Sequence, residues 1–350
     1  MRQRGEAVHL LGDLITFTIK RADVRTANLA IDRLGDRLEA IARDDLPRAS
    51  GSAEVFADEV AYHAAHLARA CLEVRDEENL EAVVRMVERI AVALLETGHG
   101  SAAAPLVSHL VSLGRELVRR AEGGSLLAVA AALERAGRTL GDDPAAQLLD
   151  PVASGLGVLG VLAADQRFEA DSLDPTGGTA ADPVRAVLEA LERLARLAVA
   201  RGLEAGAAAA LAAVSAVGRA IAGSAASGSA GQAAAVLRGV AETAALAGRA
   251  APVAAALPAL ADLAEAGRRL DRPDVVEAAL RALAALGETL ETHAVTLGDG
   301  TDGAAACARR LREAGDGYEY LVARALRAAG EGTFRRRFQG GTAPAGPHGR

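Results

Sequence analysis

Tryptophan is absent from the 350-residue chain, and other aromatics are scarce, with three Tyr and five Phe. Aromatic side chains supply the large buried areas of compact cores, so any core here is built from small aliphatic residues. Lysine is nearly missing too: Lys20 stands alone among 39 Lys and Arg residues. The formal charge is -7. The surplus of cations that bulk phosphate binding needs is therefore lacking, and nucleic acid is not expected as a partner. Only two cysteines occur, Cys71 and Cys307, with no companion at ligand spacing. That excludes a disulfide framework and a cysteine zinc site, and a reducing, cytoplasmic setting is the simplest expectation. Long apolar runs are missing as well. Residues 152–164 are strongly apolar but too few to cross a bilayer, and residues 220–237 are uncharged but broken by Gly and Ser. The opening MRQRGEAVHLLGDLITF is interrupted by Gly5, Glu6, His9 and Asp13, so neither a signal peptide nor a membrane-spanning segment is expected.

What the chain has is alanine and helical periodicity. Hydrophobic residues make up 51% of it, which excludes wholesale disorder. Alanine is the best helix former, whereas strands want β-branched and aromatic residues. The composition predicts an all-α protein. Apolar stripes of period 3.6 predict helices at 6–21, 24–42, 53–74, 79–97, 103–122, 126–140, 145–164, 183–201, 203–222, 232–248, 252–270, 274–293, 303–315 and 317–329. In the second of these, Ala27, Ala30, Ile31, Leu34, Leu38 and Ile41 line one face. These 14 or so helices pair into hairpins whose second members begin 42 to 57 residues apart, as stacked antiparallel hairpins of an α-solenoid do. An irregular helical bundle is the alternative.

Local chemistry supports the boundaries. Asp182 before Pro183 places a capping acceptor ahead of a Pro at the first helical position. Ser125 is expected to cap the helix after Gly123 and Gly124. Asp274 sits in a first turn beside Pro273, and Gly98, Gly202 and Gly330 fall where helices end. Four regions are expected: a helical-repeat half over 1–164, an acidic loop over 165–182, an Ala-rich repeat half over 183–330, and a disordered basic tail over 331–350.

The run Asp23-Val24-Arg25 through Ala27, Ala30 and Leu34-Gly35 resembles the second helix of a HEAT-type repeat. A second copy, without the Arg, runs from Pro273-Asp274-Val275 through Ala278, Ala279 and Ala282 to Leu286-Gly287. The remaining hairpins share the general layout only, and most lack the family's first-helix Pro. The resemblance implies a protein–protein scaffold and names neither a partner nor a chemistry.

Candidate sites are few. Glu59, His63 and His66 are spaced i, i+4 and i+7 on one helix, the arrangement that can hold a divalent metal. No Glu-x-x-His motif on a facing helix completes a bundle-type site, and no cofactor is expected. The string Gly155-Leu156-Gly157-Val158-Leu159-Gly160 superficially fits a dinucleotide fingerprint. That motif works only between a strand and a helix, so small-residue helix packing explains it better. Residues 298–303 resemble part of a calcium loop but lack its later ligands, and a turn is expected. On the second helices, Arg25, Asp32, Arg85, Arg89, Arg185, Glu189, Arg193, Glu277 and Arg281 are the candidate interaction surface. In the tail, Arg335, Arg336 and Arg337 lie between Phe334 and Phe338, which would allow a grip on anionic lipid, nucleic acid or an acidic protein groove, although a solvated tail is the plainer reading. The leading expectation is a non-enzymatic scaffold whose partner is another protein. A helical metal or small-molecule binding protein using Glu59, His63 and His66 is the alternative, and a peripheral membrane accessory module is a third. Homo-oligomerisation is left open.

Overall fold

A computed structural model describes residues 14–21, 23–46, 52–139, 149–166, 182–224, 229–330 and 332–340. Of the described residues, 86% are helical. After helical residues 14–20 come α1 (Val24–Ala40, closed by a π turn at Ile41–Asp45), α2 (Ser52–Val74), α3 (Glu77–Glu96), α4 (Gly100–Arg119), α5 (Gly123–Arg138) and α6 (Leu149–Ala164). These are followed by α7 (Pro183–Arg201), α8 (Glu204–Gly223), α9 (Ala230–Leu246), α10 (Ala250–Arg269), α11 (Pro273–Thr292), α12 (Gly303–Ala314), α13 (Glu319–Ala328) and α14 (Thr333–Gly340). Extended pairing among the described residues is confined to an isolated bridge between Thr296 and Asp302. The fold is all-α.

Two compact units divide the chain, Met1–Ala190 and Leu191–Arg350, so the boundary falls inside α7. The expected acidic loop lies outside the described residues except for 165, 166 and 182. Within the first unit α1 packs on α3 and α3 on α5, while α2 packs on α4 and α4 on α6; neighbouring helices also pack in sequence. The second unit repeats this, with α8, α10 and α12 in one layer and α9, α11 and α13 in the other. The main contacts of α1 to α6 and of α8 to α13 are thus with helices one or two places along the chain. A bundle would close first helix on last; this pattern is that of a helical tandem repeat.

The repeat is more regular than the sequence spacing of 42 to 57 suggests. Left-handed residues that end helices fall at Arg75, Gly98 and Ala121, each 23 residues after the last. They recur at Gly202, Gly248, Asp271, Ala294 and Gly317, again at steps of 23 residues or twice that. Helices α3, α4, α8, α10 and α11 each have 20 residues, and a short turn of left-handed backbone reverses the chain after α3, α4, α10 and α11. Apolar stripes hide this period, because the first apolar residue of a helix lies a variable distance from its cap.

Helix α3 shows how one unit is specified. The Asp76 side chain accepts from the Asn79 amide at 3.1 Å, capping the helix, and Glu77 and Glu78 complement its dipole. Leu80, Val83, Val84, Val87, Ile90 and Leu94 are buried on its inner stripe. Asn79, fully buried, sends Nδ2 to the Val24 carbonyl at 3.2 Å, tying the start of α3 to the start of α1. The Asp182 cap also holds, with the Val184 amide at 2.9 Å. Ser125 does not cap: α5 starts two residues earlier at Gly123, and Ser125 is buried inside the helix. The glycine string is helix packing, as expected. A Cβ at Gly155 would overlap Val111, and one at Gly114 would lie 2.7 Å from Leu159, so α4 and α6 approach closely through their glycines.

One helix bears on the expected lack of a spanning segment, and the expected tail needs correction. By length and composition α8 is apolar enough to cross a membrane, at mean hydropathy 1.6 over an 18-residue window, where the sequence pattern predicts no spanning segment. Alanine raises the index, and 61% of that window is buried inside the protein. The tail is also ordered in part. Residues Thr333–Gly340 form α14 against α11 and α12. Phe334 and Phe338, one helical turn apart, are 1% and 8% exposed. A Cβ at Gly287 of α11 would overlap the Phe334 ring. Two phenyl rings on one stripe outweigh the flanking glycines; the remainder of the tail, 341–350, lies outside the described residues.

Candidate interaction surface

The charged residues of α1, α3 and α5 meet one another across the layer. Arg89 of α3 contacts Asp36 of α1 at 2.7 Å and donates from Nε to Glu39 at 2.7 Å. Arg43 in the π turn donates to Glu39 at 3.0 Å and pairs with Glu96 of α3. Glu88 of α3 pairs with Arg135 of α5. Burial pushes the Glu39 carboxyl up, but the hydrogen bonds of Arg89 and Arg43 outweigh this and hold it below the ordinary carboxylate range. Asp36 in turn raises the Arg89 guanidinium above its usual value, and Glu96 does the same for Arg43. In the second unit Glu277 of α11 pairs with Arg281 on its own helix and with Arg324 of α13, the latter at 3.2 Å.

Arginine also reaches backbone carbonyls at helix ends and turns two places away. Arg120 donates to the Leu72 carbonyl near the end of α2 at 3.0 Å, and Arg268 to the Asp316 carbonyl at 3.2 Å. At Leu72 the guanidinium satisfies a last-turn carbonyl and the negative end of the helix dipole together.

Of the nine surface candidates, Arg89 and Glu277 hold adjacent helices together. Arg185 pairs with Glu189 at 2.9 Å, Arg85 approaches Glu81 at 3.8 Å, and Arg281 pairs with Glu277. Arg193 is engaged as well, while Arg25 and Asp32 are exposed. Much of this face is turned toward itself.

The metal candidates are not brought together. Glu59 and His66 are exposed on α2, whereas His63 is 8% exposed. No group of three His, Cys, Asp or Glu side chains suited to a metal occurs among the described residues. Instead His66 packs edge-on against Tyr62, with ring centroids 4.5 Å apart. Val55, Glu59, Tyr62 and His66 follow i, i+4, i+7 and i+11 along one exposed stripe of α2. A search for metal-ligating residue types passes over Tyr62, which stands between Glu59 and His63. Its 55% exposure in an aromatic-poor chain is the signal.

Other candidates resolve as structure. Cys71 and Cys307 are buried, and burial pushes the Cys71 thiol up to about 12. Residues 298–303 form the expected turn, with Gly300 left-handed and Asp302 capping α12 through the Ala304 amide at 2.9 Å. In the tail Arg337 bridges Glu291 and Asp302, each at 2.8 Å, and the two buried phenyl rings face protein.

The chain matches no family model and no curated protein. Among solved structures it is similar to a circular tandem repeat protein with novel repeat topology and enhanced subunit contact surfaces. That match has 17% identity and TM-score 0.34, over 93% of this chain and 86% of the other. It is also similar to a de novo designed helical repeat protein, at 17% identity and TM-score 0.23 over 79% and 98% of the two chains. A computationally designed self-assembling cyclic homooligomer follows at 14% identity and TM-score 0.18, over 94% and 99%. The assignment of a helical tandem repeat rests on the helix contacts of each unit, not on these scores.

Proposed function

We propose that the chain is a non-enzymatic scaffold of a reducing compartment, and that the exposed stripe of α2 binds a protein partner. The observation that carries this is Tyr62, exposed with His66 edge-on against it and Val55 two turns before it on the same stripe. Tyrosine offers large contact area at little entropic cost and is enriched where proteins meet. The alternative face, on α1, α3 and α5, spends many of its charges on neighbouring helices. Exposed ion pairs of that kind contribute little each, yet they leave fewer free groups for a partner.

Proximity labelling in the source cell tests the reading. A labelled protein that is lost with Val55→Ser/Tyr62→Ser, kept with Arg25→Gln/Arg85→Gln, and bound directly by the purified wild-type chain supports it. Loss in the second variant and not in the first moves the interface to the other layer.

A further inference from the structure

The second unit contains a cleft of about 450 Å³ between α12, α13 and α14, within the range of small-molecule sites. Its apolar wall is Val322, Leu326 and Phe338, which are 8%, 4% and 8% exposed. Three arginines line it, Arg312, Arg327 and Arg335. The Arg312 guanidinium lies over the Phe338 ring, 5.3 Å from its centroid. None of the three is in an ion pair among the described residues, whereas Arg135, Arg268, Arg281 and Arg324 are each matched to a carboxylate. Asp316 and Glu319 also line the cleft. Glu319 Oε1 accepts from the Gly317 amide at 3.2 Å at the head of α13, and against the three arginines the two carboxylates leave a single positive charge in excess. An apolar wall with a net cationic rim selects a ligand of the opposite pattern.

We infer that this cleft binds a small amphiphilic anion, an acyl chain ending in a carboxylate, with the chain against Val322, Leu326 and Phe338 and the head group among Arg312, Arg327 and Arg335. Guanidinium groups pair with carboxylates in forked, charge-assisted geometry, and the apolar wall gives the chain its affinity. This site is independent of the α2 stripe and stands or falls separately.

Isothermal titration of the full chain with sodium dodecanoate below its micelle concentration is the test. Saturable binding of one equivalent is expected, as is at least tenfold weaker binding in Arg312→Gln/Arg327→Gln/Arg335→Gln. Dodecyltrimethylammonium, with the same chain and the opposite charge, is expected not to compete. Phe338→Trp would place the sole tryptophan of the chain in the cleft, and its emission is expected to shift on titration, locating the ligand. If the triple variant loses its helical circular dichroism, Arg327→Gln alone replaces it, with weakening in the same direction expected. Absence of saturable binding would overturn the inference. So would equal binding of the cationic amphiphile, undiminished binding by the folded arginine variant, or unchanged tryptophan emission in Phe338→Trp. Flotation with phosphatidylglycerol vesicles but no response to free dodecanoate would assign this basic end to a membrane surface instead.

Discussion

His109 of α4 is a titratable group whose burial has a measurable consequence. Burial pushes its imidazole down to about 4, and its Nε2 is buried without a hydrogen-bond partner among the described residues. An unfolded histidine takes its proton near 6.5. Between about pH 6.5 and 4 the unfolded chain therefore holds more protons than the folded one, and stability falls as the solution is acidified through that window. The loss approaches roughly 3 kcal/mol at the acid end. Urea denaturation should show this slope in the wild type and a flatter one in His109→Leu; parallel profiles would rule the histidine out. Glu39 acts at lower pH. Its folded pKa is depressed, so its contribution is present above the ordinary carboxylate value and is lost as pH falls through the folded one. The Arg89 side chain is 39% exposed, which limits Arg89→Met to about 1 kcal/mol despite two short contacts. A double-mutant cycle with Glu39→Gln should return most of that as coupling energy. Little of this chemistry is legible in the sequence. Glu88 and Arg135, like Glu277 and Arg324, stand 47 residues apart, and such pairs are visible only once the repeat length is known.

Helices are the legible part of the sequence, because alanine content and a 3.6-residue stripe act locally. Expected and observed boundaries agree closely for α2, α3, α7, α11 and α13. Turns are harder. Gly98, Gly202 and Gly330 announce left-handed backbone, whereas Arg75, Ala121, Asp271 and Ala294 adopt it without the residue type that signals it. Their strain is of order 1–2 kcal/mol each, so replacing Ala121 by Gly is expected to stabilise the chain slightly, by up to about 1 kcal/mol in urea. Helix α14 escapes the sequence pattern because flanking glycines mask a two-phenyl stripe. It is held by Phe334 on Gly287, and Gly287→Leu would fill the seat of the ring. Limited trypsin digestion should then cut at Arg335–Arg337 well before the remaining helices, while wild type is protected there; equal rates would show that the seat does not hold the helix. The Ala-rich α8 and α9 present a further contrast. Their buried faces depend on residues such as Ala207, Ala210, Ala233 and Ala234, where α3 uses Leu80, Val87, Ile90 and Leu94. Apolar burial contributes about 25 cal/mol per Å², and the propensity advantage of Ala is only tenths of a kcal/mol per site. Hydrogen exchange is expected to be faster in α8 and α9 than in α1 to α3.

At the scale of the whole molecule, cooperativity follows from who touches whom. In a repeat whose helices meet only near neighbours, stability is a sum of local and interface terms, and a perturbation decays along the stack. Contact density divides this chain at Ala190 and Leu191, within α7, so each unit has its own set of neighbour terms. Leu106 of α4 and Leu260 of α10 are both fully buried, one in each unit. Truncating either to Ala removes transfer energy and leaves a cavity, at a cost of about 2–5 kcal/mol. In a single cooperative globule either substitution would lower the protection of every slow amide by the same amount. In this repeat, Leu106→Ala should lower protection in α2 to α6 and leave α9 to α13 near their wild-type values, and Leu260→Ala should do the reverse. Hydrogen exchange with mass spectrometry at increasing urea resolves the two patterns peptide by peptide. A uniform drop from either substitution would mean that α7 transmits the full loss between units, and that the divided contact pattern does not divide the folding transition.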